Sequence, residues 1–301
     1  MTTQKSKLRD YPYVDVPWHY DVADLLDTQL VSDTYLPRTS GEAKVRLEVV
    51  EHMHRKWVEP MIDLSGFEYC YVTNGTTDAI HHWVMTEDRG WQYMEGEYEY
   101  PGMCGLPGVS ICDVPGQYMD PETHRAALSN QPHPDIPLFI SIPSAADGNI
   151  FDLKFESWKV KPPVILDCTY IGATEAKKIP VPSTTEQIFF SFSKGFGAIG
   201  QRLGLVYTKQ PHPSLHRLKR YQNWNYNSVE TMRLLMRDFR VDEMWTKYRK
   251  RQLSICEQYG FTPSSVYYLA TTKDPYYKKR RRMRWNDDAR ICLSSIFPEQ
   301  L

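Results

Sequence analysis

The chain has 301 residues, with 36 basic and 37 acidic side chains and a formal net charge of -1. That length accommodates one large domain or two intimate ones and a core that needs no disulfide staples, and 41 % hydrophobic with 24 % charged residues excludes a disordered chain. The charge balance argues against nucleic acid as the main partner, and no apolar run approaches the roughly 20 residues of a membrane helix.

The N-terminus, Met1-Thr2-Thr3-Gln4-Lys5-Ser6-Lys7, is polar and leads into no apolar signal core. Six scattered cysteines (Cys70, Cys104, Cys112, Cys168, Cys256, Cys292) form no CxxC pair, which suits free thiols in a reducing, cytoplasmic setting better than a disulfide framework or a zinc site. The nine histidines contain no HExxH, so no metal site is expected.

Residues 1–34 read as an irregular arm plus a short helix within Asp21–Leu30, and Gly41–Trp57 carries Val45, Leu47, Val49, Val50 and Met53 densely enough for an amphipathic helix. Phe67–Thr73 is a β-favouring run that stops at Asn74-Gly75, with a helix starting just after. Further strands are expected at Pro137–Ile142, Val164–Tyr170, Gln187–Phe192 and Leu203–Thr208, with loops or helices between them. The middle of the chain is therefore α/β with a largely parallel sheet. Beyond Pro213, Leu215–Asp238 and Val241–Tyr259 read as two long helices, the second capped by Gly260, followed by strand-like pieces at Ser265–Thr271 and Ala289–Ile296. The chain thus divides into a large α/β domain, residues 36–209, and a small α+β domain built from both ends, 1–35 with 210–301.

Three segments carry chemistry. In Ser191-Phe192-Ser193-Lys194-Gly195-Phe196-Gly197-Ala198-Ile199-Gly200-Gln201-Arg202, a strand ends in hydroxyl residues and delivers a lysine at the edge where ligands of α/β sheets bind. Hydroxyl, lysine, glycines and arginine together suit a phosphate-bearing aldehyde, with Lys194 condensing on the carbonyl and Ser191 and Arg202 holding the phosphate; the same string also suits a glycine-rich surface loop. Val164-Ile165-Leu166-Asp167-Cys168-Thr169-Tyr170 is an apolar run that ends in an aspartate, with a tyrosine three residues on. A buried carboxylate needs a cation or several donors; a protonated pyridine nitrogen meets that need, and so does a capping role in the next turn. Thr73-Asn74-Gly75-Thr76-Thr77-Asp78 is strand, tight turn and helix start, a place for a phosphate and equally a good N-cap sequence.

With these residues in view, the chain resembles the class I/II aminotransferases of the fold-type I pyridoxal-phosphate superfamily, over about residues 35–296 and with the motifs in family order. The Lys194 segment satisfies their cofactor-attachment signature. The resemblance implies pyridoxal 5'-phosphate held as a Lys194 Schiff base, Asp167 on the ring nitrogen and Tyr170 on the ring hydroxyl. Its phosphate is expected on Gly75, Thr76, Thr77, Ser191, Ser193 and Arg202, with Tyr100 of Tyr100-Pro101 stacked on the ring. Tyr35, in Tyr35-Leu36-Pro37, resembles the tyrosine that reaches the phosphate of a neighbouring subunit, which implies a homodimer with shared active sites. Arg290, in Ala289-Arg290-Ile291-Cys292-Leu293-Ser294, resembles the arginine that binds the substrate α-carboxylate.

Two departures stand out. Where the family carries Asn-Pro-x-Asn-Pro-x-Gly, this chain has Ile142-Pro143-Ser144-Ala145-Ala146-Asp147-Gly148, so Ala145 replaces the asparagine that donates to the ring hydroxyl, and Ser144 or a water is left to substitute. The stretch from Lys194 to Arg290 is also shorter than in typical members. The implied activity is transfer of an amino group between an amino acid and a 2-keto acid. A lyase, racemase or decarboxylase using the same lysine and aspartate is the alternative, and a non-catalytic protein keeping the fold is the more distant one. Lys278-Lys279-Arg280-Arg281-Arg282 reads as a solvated run, and Trp83 and Trp91 as core or interface.

Overall fold

A computed structural model describes residues 17, 19–32, 39–94, 96–112, 132–277 and 288–297. Tyr35, the Lys278–Arg282 run and most of the N-terminal arm lie outside these residues. Among the described residues no helix is long and apolar enough to cross a membrane.

The centre is a seven-stranded sheet. Its strands are β1 (Tyr69–Thr73), β2 (Trp91–Met94), β3 (Gly108–Cys112), β4 (Leu138–Ser141), β5 (Val164–Cys168), β6 (Thr185–Ser191) and β7 (Gly204–Thr208), in the order β1-β7-β6-β5-β4-β2-β3. Strands β6, β5, β4, β2 and β3 pair in parallel, whereas β7 runs antiparallel to both β1 and β6. Six strands therefore share one direction, and their C-terminal ends line one edge. Every residue of β5, Val-Ile-Leu-Asp-Cys, is buried, as expected of a central parallel strand covered on both faces.

Helix α1 (Tyr20–Ser32) and helix α2 (Ser40–Val58) lie before the sheet in sequence. Thr39 caps α2 by accepting from Glu42 N, and Ala43, Leu47, Val50, His54 and Val58 are its buried stripe. Helix α3 (Thr76–Val84) follows β1, and the short α4 (Tyr100–Met103) follows β2. The segment expected as one helix over Leu215–Asp238 is two, α5 (Leu215–Arg220) and α6 (Tyr226–Asp238). Gln222 takes φ 55°, and Asn225 caps the second helix by accepting from Ser228 N, so the break follows from turn chemistry that outcompetes the helix. Helix α7 (Glu243–Tyr259) ends at Gly260 with φ 72°, the left-handed C-cap. A three-stranded antiparallel sheet, β8 (Thr262–Pro263), β9 (Leu269–Thr272) and β10 (Ala289–Cys292) in the order β10-β9-β8, completes the described structure.

Strands β2 and β3 are additions to the expected set. Gln92 hides β2 from hydropathy reasoning. It is buried because its amide donates to His133 O and Ile136 O while its carbonyl accepts from His133 N. Trp83 and Trp91 are buried in the core with Phe139 and Val206. Cys70, Cys104, Cys168, Cys256 and Cys292 are free thiols.

Candidate active site

The chemistry-bearing segments converge on the edge formed by the C-terminal ends of β1, β4, β5 and β6. At the end of β1, Gly75 is the N-cap of α3 with φ 82° and brings no side chain to the first-turn N–H groups. Beside it, Asp78 Oδ2 accepts from Asn74 N and Nδ2 at 2.9 and 3.2 Å, which stiffens the turn from behind. Thr73 pairs with Gly204 at the start of β7, and a Cβ on Gly204 would lie 2.7 Å from Gly75 Cα. Only glycine permits that approach. It brings the loop before β7 over the turn: Arg202 Nη2 donates to Asn74 O at 2.9 Å and lies 3.0 Å from where a Gly75 Cβ would stand. Arg202 itself takes φ 50°, a left-handed conformation that costs about 1 kcal/mol or more outside glycine. The result is an exposed guanidinium beside an uncapped helix start, an anion-binding arrangement.

Asp167 ends β5 with 3 % of its surface exposed. Its Oδ1 accepts from Thr169 N at 3.0 Å and from Thr169 Oγ1 at 2.6 Å, and Thr169 Oγ1 also meets Thr76 Oγ1 at 2.8 Å. A hydroxyl relay thus joins the aspartate to the turn at Gly75. Burial pushes the Asp167 carboxyl up to about 7, and nearby Glu97 pushes the same way, against the Thr169 and Ser141 hydrogen bonds. No described basic side chain forms an ion pair with it.

Lys194 follows β6 directly and is half-buried. Ser193 N donates to Ser191 Oγ at 3.2 Å, which folds the chain back at the strand end, and Ser193 Oγ is buried without a partner. Gly195 packs on Gly172, where a Cβ would come within 2.8 Å of backbone carbon. Beneath, Tyr267 Oη meets Gly195 O at 3.4 Å and His19 Nε2 at 2.5 Å, so the start of α1 braces the lysine loop. Burial lowers His19 to about 4, and it is neutral at physiological pH.

Tyr170 is buried two residues beyond the end of β5. Tyr268 has a buried hydroxyl without a partner, raised well above its ordinary value by burial, with Tyr170 adding to the rise and Arg290 opposing it. Arg290, on β10, is buried and donates through Nη1 to Ala145 O. At the position of the family asparagine the arginine therefore meets a backbone carbonyl, while Ser144 Oγ accepts from Ala146 N within its own turn. Tyr100 opens α4, its hydroxyl 2.7 Å from His81 Nε2 and its ring stacked on Tyr98. Thr77 lies half-buried in the first turn of α3.

Of the expected residues, the described contacts link Gly75 with Arg202, Thr76 with Asp167, and Ser191 with Ser193. Tyr35 falls outside the described residues. Thr169, Ser141, Glu97, Tyr267 and His19 were not singled out from sequence. For Thr169 a signal existed in Asp167-Cys168-Thr169, an aspartate with a hydroxyl two residues on, which is Asx-turn spacing. The others come from distant elements and leave no local pattern.

No protein-family model matches the chain, and no curated protein matches it by sequence. Solved structures do. An aromatic aminotransferase from Pyrococcus horikoshii superposes with a TM-score of 0.64 at 14 % identity, over 94 % of this chain and 89 % of that one. A C-S lyase from Staphylococcus hominis, solved with pyridoxal phosphate, gives 0.63 at 14 % identity over 89 % and 76 %. A histidinol-phosphate aminotransferase from Sinorhizobium meliloti, solved in complex with pyridoxal-5'-phosphate, gives 0.60 at 13 % identity over 86 % and 73 %. The chain shares the fold of these solved structures.

Proposed function

We propose that the chain is a pyridoxal 5'-phosphate-dependent aminotransferase that moves an amino group between an amino acid and a 2-keto acid. The observation that carries this reading is Asp167, a carboxylate buried at the ligand-binding edge of the sheet, pushed up to about 7, and without an ion-pair partner among the described residues. A protonated pyridine nitrogen is the cation such a group requires. The other ends of the group fit as well. The Gly75 turn with Arg202 suits the phosphate, the buried, unpartnered Ser193 Oγ is a donor beside it, and Lys194 follows at the strand end.

When bound, pyridoxal phosphate supplies an electrophilic aldehyde carbon and a cationic ring that spreads negative charge from the substrate Cα. The protein's part follows from its own groups. Arg202, Ser191, Ser193 and the first-turn N–H groups at Thr76 and Thr77 hold the phosphate. Asp167 keeps the ring nitrogen protonated. Tyr170 would serve the ring hydroxyl, and Tyr100 would be the aromatic beside the ring. Arg290 grips the substrate α-carboxylate through its planar fork, oriented by Ala145 O. Lys194 would hold the aldehyde carbon of the group through Nζ, and the same nitrogen would serve as the base for the proton at the substrate Cα.

The reading extends to a homodimer in which Tyr35 reaches the partner's phosphate, and to a cytoplasmic setting in keeping with the free thiols. A lyase is the second reading, favoured by the absence of the asparagine at Ala145, since the ring hydroxyl is then tuned differently. Absorbance spectra of the cofactor-loaded protein against a panel of amino acids test both. The expected result is loss of the yellow form on adding a donor and its recovery with a keto acid. Product formation with the yellow form retained would favour the lyase. A spectrum unchanged by Lys194→Ala would overturn the whole assignment.

A further inference from the structure

Behind Asp167 stands a second carboxylate that the proposed chemistry does not use. Glu97 lies in the loop between β2 and α4, after the turn at Gly96 (φ 84°). Three donors converge on it. Ser141 N reaches Oε2 at 2.8 Å, Ser141 Oγ donates to Oε1 at 2.5 Å, and Tyr98 N donates to Oε1 at 2.8 Å. Converging N–H and O–H donors suit the acceptor-only oxygens of an ionised carboxylate. Ser141 is also the residue directly paired with Asp167 between β4 and β5. Its single hydroxyl proton is directed to Glu97, so Glu97 competes with Asp167 for it and weakens the Ser141 contact that lowers the Asp167 carboxyl.

We infer that Glu97 is a positioning residue for Asp167: it competes with that carboxylate for the Ser141 hydroxyl and sets a second negative charge behind it, so that Asp167 holds a protonated ring nitrogen more tightly. The inference rests on the cofactor reading above, but its physical core concerns Asp167 alone. Among the described residues, the groups that act on Asp167 are Ser141 from β4, Thr169 from its own turn, Cys168 beside it with a neutral thiol raised by burial, and Glu97. Among the described residues, the Glu97 charge raises the Asp167 carboxyl, an effect in the direction that the geometry demands.

Two measurements test it. In cofactor-free full-length protein, carboxyl-carbon NMR follows the titration of Asp167, assigned with Asp167→Asn. Glu97→Gln is expected to lower the Asp167 midpoint by about one pH unit, and Ser141→Ala, which keeps both charges and removes the relay, to shift it by a smaller amount. Circular dichroism checks that each variant is folded, and Glu97→Asp is expected to restore part of the shift. In the second measurement, binding of pyridoxal phosphate is compared with binding of its deaza analogue, which has carbon in place of the ring nitrogen. Glu97→Gln is expected to weaken the former about tenfold, the equivalent of one pH unit, and to leave the latter unchanged. An unmoved Asp167 midpoint, or equal loss for both ligands, overturns the role of Glu97 while leaving the cofactor reading intact. Failure of the wild-type protein to bind pyridoxal phosphate overturns both.

Discussion

Asp167→Asn is expected to make the cofactor-free protein more stable at alkaline pH while abolishing its use of the cofactor. The carboxyl titrates at about 7 in the folded protein against an ordinary value of 3.8. A folded-state value raised in this way means that the native protein binds the proton more tightly than the unfolded chain. The stabilisation is complete below 3.8 and is lost as pH rises through about 7. At about 1.4 kcal/mol per unit, the interval corresponds to about 4 kcal/mol, reduced by whatever water enters the site. His19 and His212, lowered to about 4, and His54, lowered to about 3, act in the opposite sense and add stability as pH rises towards 6.5. Their contribution is common to both proteins and cancels in the difference. Urea denaturation of the two cofactor-free proteins between pH 5 and 9 is the assay. The difference should be about a third of its full size at pH 5 and level off at about 2–4 kcal/mol in favour of Asp167→Asn by pH 8.5. A difference independent of pH would refute the claim that Asp167 is a buried acid waiting for a cation.

Two further outcomes follow from the same geometry. Gly204→Ala would set a Cβ 2.7 Å from Gly75 Cα and 2.8 Å from Thr73 Oγ1, and is expected to cost about 1–3 kcal/mol in thermal unfolding and at least tenfold in phosphate-ester affinity. Gly200→Ala, with nothing within 4 Å of its Cβ, serves as the near-neutral control, and equal behaviour of the two would contradict the packing account. Thr169→Val removes the hydroxyl that serves both Asp167 and Thr76, and is expected to raise the Asp167 midpoint above about 7, because the lost hydrogen bond was lowering it. Carboxyl NMR showing a lower midpoint would refute that sign.

Strands β1 and β4 to β7 are legible because each is a short, largely apolar run that ends at a turn or at a hydroxyl residue. The β5 pattern Val-Ile-Leu-Asp-Cys tells of burial on both faces even before pairing is known. Strand β2 is not legible, because Gln92 is made apolar in effect only by backbone partners near residues 133 and 136. The site divides in the same way. Lys194, Asp167 and the Gly75 turn carry local signatures, since a strand end followed by hydroxyls and glycines is written in consecutive residues. Glu97 and Tyr267 carry none, because their roles exist only once β2 and β9 are docked against β4 and the lysine loop. The brace from His19 is likewise a product of tertiary contact, and its buried, neutral imidazole has no counterpart in the sequence pattern.

The reversed direction of β7 has a kinetic consequence. Strands β6 and β7 are antiparallel neighbours joined by residues 192–203, so the lysine and the arginine belong to one hairpin whose closure is local. The turn at Gly75 joins that hairpin through the pairing of β1 with β7 and the Arg202–Asn74 hydrogen bond, both across the whole intervening chain. Loop-closure entropy places such a contact late in folding, since non-local pairings form at greater entropic expense than local ones. An emerging chain therefore holds its first strand unpaired until the seventh is made, and the anion cradle between Gly75 and Arg202 comes into being only at that final pairing. A phosphate ester bound there stabilises the most non-local contact of the sheet, so ligand present during refolding should slow unfolding far more than it speeds folding.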